Sequence, residues 1–172
     1  LGSEMCIRDS YEVRLAVHVG RRAGETAWRG GLSMRVLAID YGDRRTGLAF
    51  SDLGGVLCGE AFIVEEWDAQ RLAERIAAEC RAREVGQLVL GLPKNMDGTE
   101  GPRAEKSRAF AEMLRGATGL DVRLWDERRS SVEAHAILSA NGKREKKHKK
   151  TVDALAAALL LESYLASQNG GY

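Results

Sequence analysis

Asp40, Asp126, Glu127 and Asp153 are the residues whose types and positions could do chemistry. Asp40 closes the apolar run Val36 to Ile39. Asp126 and Glu127 close a second run, Asp121 to Trp125, and Asp153 falls in the first turn of an apolar helical stretch. In α/β sheets the carboxyl ends of parallel strands share one edge, where sites form. Carboxylates meeting there without a histidine or cysteine in the set are donors for hard divalent cations, Mg²⁺ or Mn²⁺. Two such ions about 4 Å apart can clamp the attacking and leaving oxygens of a phosphodiester hydrolysis. A helix N-terminus would keep Asp153 ionised among other carboxylates. The plainer alternative pairs Asp126 or Glu127 with Arg128 or Arg129 and leaves Asp153 as a helix opener.

A second set of residues suits a polyanion. Lys143, Arg144, Lys146, Lys147, Lys149 and Lys150 put six positive charges into eight residues just ahead of Asp153. As a loop hinged between Gly142 and Thr151 they could close on a phosphate backbone with salt-dependent, sequence-independent affinity. As a solvated tether they would do nothing. Arg44, Lys94, Asn95 and Arg128 would rim the same edge, with Lys94 and Asn95 donating to phosphate. Trp67 and Trp125 are read as core or rim packing rather than as base-stacking platforms.

The elements that must position these groups alternate along the chain. Val36 to Ile39 and Leu48 to Phe50 form a hairpin around the D-x-G-x-x-x-x-G spacing of Asp40, Gly42 and Gly47. The two glycines let a backbone or a phosphate come close to Asp40. Gly59 to Val64 is a third strand. Asp68 caps a helix that runs to Arg83 on Leu72, Ala73, Ile76, Ala77 and Cys80. Gln87 to Leu92 is a strand apolar on both faces, followed by the turn-rich loop Pro93 to Gly101. Pro102 opens a helix with Phe110, Met113 and Leu114 inward, ending at Gly116. After the Asp121 to Trp125 strand, Ser130 and Glu133 match a capping box for a helix stopped by Asn141-Gly142. The last helix starts after Thr151. The order βββαβαβαα predicts an α/β layer fold with a mixed sheet and helices on its faces.

With 172 residues, 44% hydrophobic and 30% charged, there is material for one good core and one site. No apolar run approaches the roughly 20 residues that span a bilayer, so no membrane role is expected. The three cysteines, Cys6, Cys58 and Cys80, show neither metal spacing nor an even count, which points to a reducing cytoplasm. Residues 1–33, opening LGSEMCIRDS, lack a partner for their apolar patch and do not follow a signal-peptide pattern. They are expected to be non-native or disordered, with the domain spanning 34–172. Residues 34–172 carry equal numbers of basic and acidic side chains, so attraction to an anion must come from clustering.

Four blocks, DYGDRRTGLA at Asp40–Ala49, VLGLPKNMDGTEG at Val89–Gly101, DERRSS at Asp126–Ser131 and TVDALAAALLLESYL at Thr151–Leu165, resemble the signatures of the YqgF (RuvX) family. That family comprises RNase H-like nucleases described as Holliday junction resolvases and as nucleases of the small-subunit rRNA precursor. The resemblance implies a five-stranded RNase H-like sheet, its first three strands antiparallel, with helices on both faces. It implies a metal-dependent nuclease acting in pre-16S rRNA 5′-end processing and ribosome biogenesis, with branched DNA as another substrate, working as a monomer or homodimer. Asp40 matches the first-strand metal ligand, Asp126 a second acid and Asp153 the acid of the last helix. Whether Asp126 or Glu127 faces the metal stays open, because successive strand residues point opposite ways. Arg129, Ser130 and Ser131 depart from the apolar residue and Thr that usually follow D-E-R. Two other readings remain: a non-catalytic RNA-binding module of the same fold, and half of an actin-like ATPase or sugar kinase, whose phosphate hairpin has the same glycine spacing but needs a second domain.

Overall fold

A computed structural model describes residues 34–126 and 147–169. Strands β1 (Arg35–Asp40), β2 (Arg45–Ser51) and β3 (Cys58–Glu65) form an antiparallel meander. They are followed by helix α1 (Ala69–Ala82), β4 (Val85–Leu92), α2 (Pro102–Thr118), β5 (Val122–Asp126) and α3 (Lys147–Asn169). The sheet has five strands in the order β3-β2-β1-β4-β5. β1 pairs with β2 antiparallel and with β4 parallel, and β4 pairs with β5 parallel. Two antiparallel steps bring β3 back to the direction of β1. The C-terminal ends of β1, β3, β4 and β5 therefore lie along one edge of the sheet.

The sheet is buried on both faces, and the strand alternation divides its side chains between two cores. Leu37, Ile39, Leu48, Phe50, Leu88, Leu90 and Val122 pack with Leu72 and Ile76 of α1 and Phe110 and Leu114 of α2. Val36, Ala38, Ala49, Ala61 and Val89 face the other way, against Ala154, Ala157, Leu161 and Tyr164 of α3. Small residues on the sheet there meet alanines on the helix, which lets α3 lie close. Near the edge of the first core, Arg83 lays its guanidinium over Phe50 at 4.5 Å and pairs with Glu60 at 2.6 Å and Glu79 at 2.8 Å.

Local chemistry explains most helix ends. Asp68 accepts a hydrogen bond from the backbone N–H of Arg71 at 2.8 Å, which caps α1, and Pro102 sits in the first turn of α2. Three expectations need correction. α2 continues through Gly116 and stops at Gly119, whose φ of 69° supplies the left-handed cap. Met113 is exposed, because the stripe Ala104, Ser107, Phe110, Ala111, Leu114 faces the core and leaves position 113 beside it. The last helix begins at Lys147 rather than after Thr151. The helix expected between Ser130 and Asn141 lies outside the described residues.

Candidate active site and nucleic-acid edge

Asp40 is the last residue of β1 and is half-buried. Its cross-strand partner is Gly47, which brings no side chain to the face the two share. The turn that follows is tightly determined. A Cβ on Gly42 would sit 2.4 Å from the carbonyl oxygen of Arg45, so only glycine fits without moving backbone. Tyr41 stacks on Phe110 with ring centroids 4.2 Å apart and planes 9° from parallel. Asp43 accepts a hydrogen bond from Lys106 Nζ at 3.0 Å, and that bond holds its carboxyl below the usual carboxylate range. The turn beside Asp40 is thus tied to α2 by an aromatic stack and an exposed ion pair.

Asp126 ends β5 opposite Leu92, on the same sheet edge as Asp40. The pleat separates the two, however. Asp40 continues the Val36, Ala38 series that faces α3, whereas Asp126 continues the Val122, Leu124 series that faces α1 and α2. Trp125, the residue of β5 on the α3 side, meets Tyr164 edge-on at 5.4 Å and donates from Nε1 to Ser163 Oγ at 3.2 Å. It packs as expected. Position 153 lies in α3, one helical turn before the fully buried Ala157, on the helix covering the face to which Asp40 belongs. Among the described residues no three acid, histidine or cysteine side chains gather in a metal-binding group. Glu127, Arg128, Lys143, Arg144 and Lys146 lie outside the described residues.

The basic residues differ from expectation in one respect. Lys147, Lys149 and Lys150 are helical, forming the first turn of α3 rather than a free hinged loop. Arg44 is exposed, with its guanidinium 4.9 Å from the ring centre of Trp67. Lys94 forms an isolated antiparallel bridge with Glu100 at the base of the loop after β4. Within that loop Asn95 donates from its amide to Thr99 Oγ1 at 2.9 Å and from its backbone N–H to the Thr99 carbonyl at 2.9 Å. One of the amide hydrogens expected to serve phosphate is therefore used internally. Arg108 of α2 clasps both carboxylate oxygens of Glu100 at 2.7 Å and holds that carboxyl below its ordinary range.

Two apolar residues at this edge are exposed: Trp67, read from the sequence as core or rim packing, and Met96, which the sequence reading did not single out. Trp67, just past β3, is 74% exposed, and Met96, at the tip of the loop after β4, is 98% exposed. The available signal was local: each is an apolar residue set among polar neighbours, outside any helical or strand period.

Strands β1, β4 and β5 end side by side along one edge of a five-stranded mixed sheet, the arrangement of the RNase H-like fold. RuvC from Thermus thermophilus, solved in complex with a Holliday junction substrate, shares that fold with a TM-score of 0.53 at 14% identity, over 80% of this chain and 98% of its own. The model of the RuvX family, described as Holliday junction resolvase, matches residues 34–167, and the chain belongs to that family. Relatives named "Putative pre-16S rRNA nuclease" include one from Halothermothrix orenii, 42% identical over 79% of this chain and 97% of its own length. Another, from Listeria innocua, is 41% identical over 79% of this chain and 100% of its own.

Proposed function

We propose that the protein is a divalent-metal-dependent hydrolase of phosphodiester bonds that processes the 5′ end of pre-16S rRNA, with branched DNA as a second substrate class. The observation that carries the reading is Asp40 at a strand end, opposite a glycine and on a rigid turn, in a chain about 40% identical to relatives bearing that nuclease name. The donors fit the metal in kind. Asp40 and Asp126 are hard oxygen ligands at one edge, and Asp153 belongs to the helix over the same face as Asp40. Asp40, Asp153 and one of the neighbours Asp126 and Glu127 would hold Mg²⁺ or Mn²⁺. Asp126 falls on the α1 and α2 side of β5, the face opposite to that of Asp40, and substitution of each neighbour in turn tells which of the two holds the ion. When bound, the ions supply activation of water and stabilisation of the leaving oxygen.

The chain's own residues orient the strand. Arg44 and Lys94 lie at the rim of the edge, and Lys147, Lys149 and Lys150 open the helix that carries Asp153. With Arg128, Lys143, Arg144 and Lys146 they neutralise backbone phosphates and set register without reading sequence. The domain comprises residues 34–172. No helix among the described residues is long and apolar enough to cross a membrane, and the free Cys58 and Cys80 suit a reducing cytoplasm.

The test is cleavage of a labelled pre-16S leader RNA and of a four-way DNA junction with Mg²⁺, Mn²⁺ or EDTA. Asp40→Asn should lower turnover by several kcal/mol of barrier, on the order of 10³-fold, while remaining folded. Asp126→Asn, on the other face of the sheet, should cost less, and a loss in Glu127→Gln equal to that of Asp40→Asn would make Glu127 the third ligand. Cutting by Asp40→Asn at the wild-type rate would refute the assignment. Binding of every substrate without cutting by the wild type would return the non-catalytic module.

A further inference from the structure

The carboxylate edge is flanked by two apolar side chains that the fold does not use. Glu65 ends β3 opposite Arg45, and the ladder extends one step further, with the Glu66 N–H donating to the Arg44 carbonyl at 3.3 Å. Trp67 follows at once, so its indole stands beyond the sheet on the edge where β1 delivers Asp40. The Glu66 carboxylate accepts from the backbone N–H groups of Trp67 and Asp68 at 2.9 and 3.1 Å, which fixes the backbone there. Arg44 covers part of the ring at 4.9 Å. The indole is nevertheless 74% exposed.

Met96 is the counterpart on the far side of β1. Its loop is built rigid by the Asn95 bonds to Thr99, by Thr99 donating from N–H and Oγ1 to Asp97 Oδ1 at 2.9 and 2.6 Å, and by Gly98 at a φ of 88°. The Glu100 clasp to Arg108 pins it to α2. A loop so fully bonded to itself presents a thioether to water at 98% exposure. Three strand steps separate β3 from β4 in the sheet, so the strand ends from which the two segments leave lie about 14 Å apart, the rise of about four stacked nucleotides.

We propose that Trp67 and Met96 are base-gripping positions on either side of Asp40, and that the site accepts a strand whose bases are unpaired across the cut. The inference rests on the nuclease reading above. A continuous duplex shows its backbone to such an edge and keeps its base faces in the stack. An indole or a thioether gains from nucleic acid only when bases are splayed, by stacking or by wedging between steps. Arg44 contributes to the same platform as a cation against the indole and a partner for phosphate. Base stacking is sequence-tolerant because every base has a π-face, which agrees with a rim that otherwise offers only charge.

The experiment is an anisotropy titration of the full chain with a labelled oligouridine and with an RNA duplex, in EDTA so that no cutting intervenes. Trp67→Ala should bind the single strand roughly 5- to 150-fold more weakly, Met96→Ala should lose less, and duplex binding should hold. Trp67→Phe should keep most of the affinity. Indole fluorescence should be quenched by oligouridine in the wild type, and that quenching should vanish in Trp67→Phe, although Trp28 and Trp125 remain. Both side chains are exposed, so unchanged melting is expected in every variant. Wild-type single-strand affinity in the double alanine variant would overturn the proposal, as would an equal loss on duplex and single strand. A change of oligomeric state in place of a change in RNA binding would overturn it in favour of a protein interface. A wild type that cuts while Trp67→Ala binds normally removes this proposal alone. One that binds but never cuts with any metal removes the nuclease reading and leaves the platform standing.

Discussion

Adding one methyl group at Gly42 should damage both stability and turnover, whereas adding one at Gly116 should stabilise. At Gly42 the new Cβ would lie 2.4 Å from the Arg45 carbonyl oxygen. Ordinary contact begins about 1 Å further out, and the obstacle is backbone that cannot rotate away. The turn must open by that distance, which disturbs the pairing of Asp40 with Gly47 and of Arg45 with Glu65. Strain of this kind costs about 1–3 kcal/mol, and at about 3–5 °C per kcal/mol for a domain of this size the melting midpoint should fall by roughly 3–15 °C. A shift of about 1 Å in a catalytic carboxylate can cost about 100-fold in rate, so turnover should drop well beyond the unfolded fraction. At Gly116, exposed in the interior of α2, the added methyl would meet nothing within 4 Å beyond its chain neighbours and the helix's own backbone, so Gly116→Ala should gain about 0.5–1 kcal/mol from helix propensity and leave the rate alone. Thermal melts and metal-dependent cleavage of single-stranded RNA measure both. Wild-type melting and turnover in Gly42→Ala would show that the turn is soft and that Asp40 is not positioned by it.

Replacing Lys146, Lys147, Lys149 and Lys150 by Gln should weaken nucleic-acid binding and reduce the slope of log K against log salt by about 0.7 per lost contact on single strands. Turnover at saturation should change little, since contacts made equally in ground and transition states act on KM; an unchanged salt slope would remove these residues from the interface. In a Cys6→Ser background, iodoacetamide should react slowly at pH 8 with the folded protein, because burial pushes the Cys58 and Cys80 thiols up to about 11, leaving on the order of 0.1% thiolate. Those thiols ionise near 8.5 when unfolded, so the unfolded state binds fewer protons between that pH and about 11 and stability should decline as pH rises through the window. Rapid labelling at pH 8 without unfolding would contradict the burial.

Much of the molecule is legible in its residues because the deciding forces are local. Apolar runs of strand length, the Asp68 cap, Pro102 at the start of α2 and the glycines around Asp40 each act within a few positions, and all five described strands and the α1 and α2 starts follow from them. Asp40 could be singled out for the same reason: a carboxylate at the end of an apolar run, next to a turn only glycine can make. The face a strand-end acid occupies is another matter. Alternation says that Asp126 and its neighbour point opposite ways, but which way is toward α3 depends on where Val122 and Leu124 pack, and that is decided by α1 and α2 arriving on their side of the sheet. Exposure is decided at the same distance. Trp67 reads as packing because indoles are usually covered, yet it lies past the end of β3, where none of the described elements covers it, and Arg44 alone among its cationic neighbours reaches its ring in the described structure. Met113 and Met96 have the same hydrophobicity and differ in surroundings, one beside a core stripe and the other on a loop tip. The sequence by itself determined which segments are strands and helices and which residues could bind a metal; tertiary packing decided which faces those residues share, because burial is a property of what arrives from elsewhere in the chain.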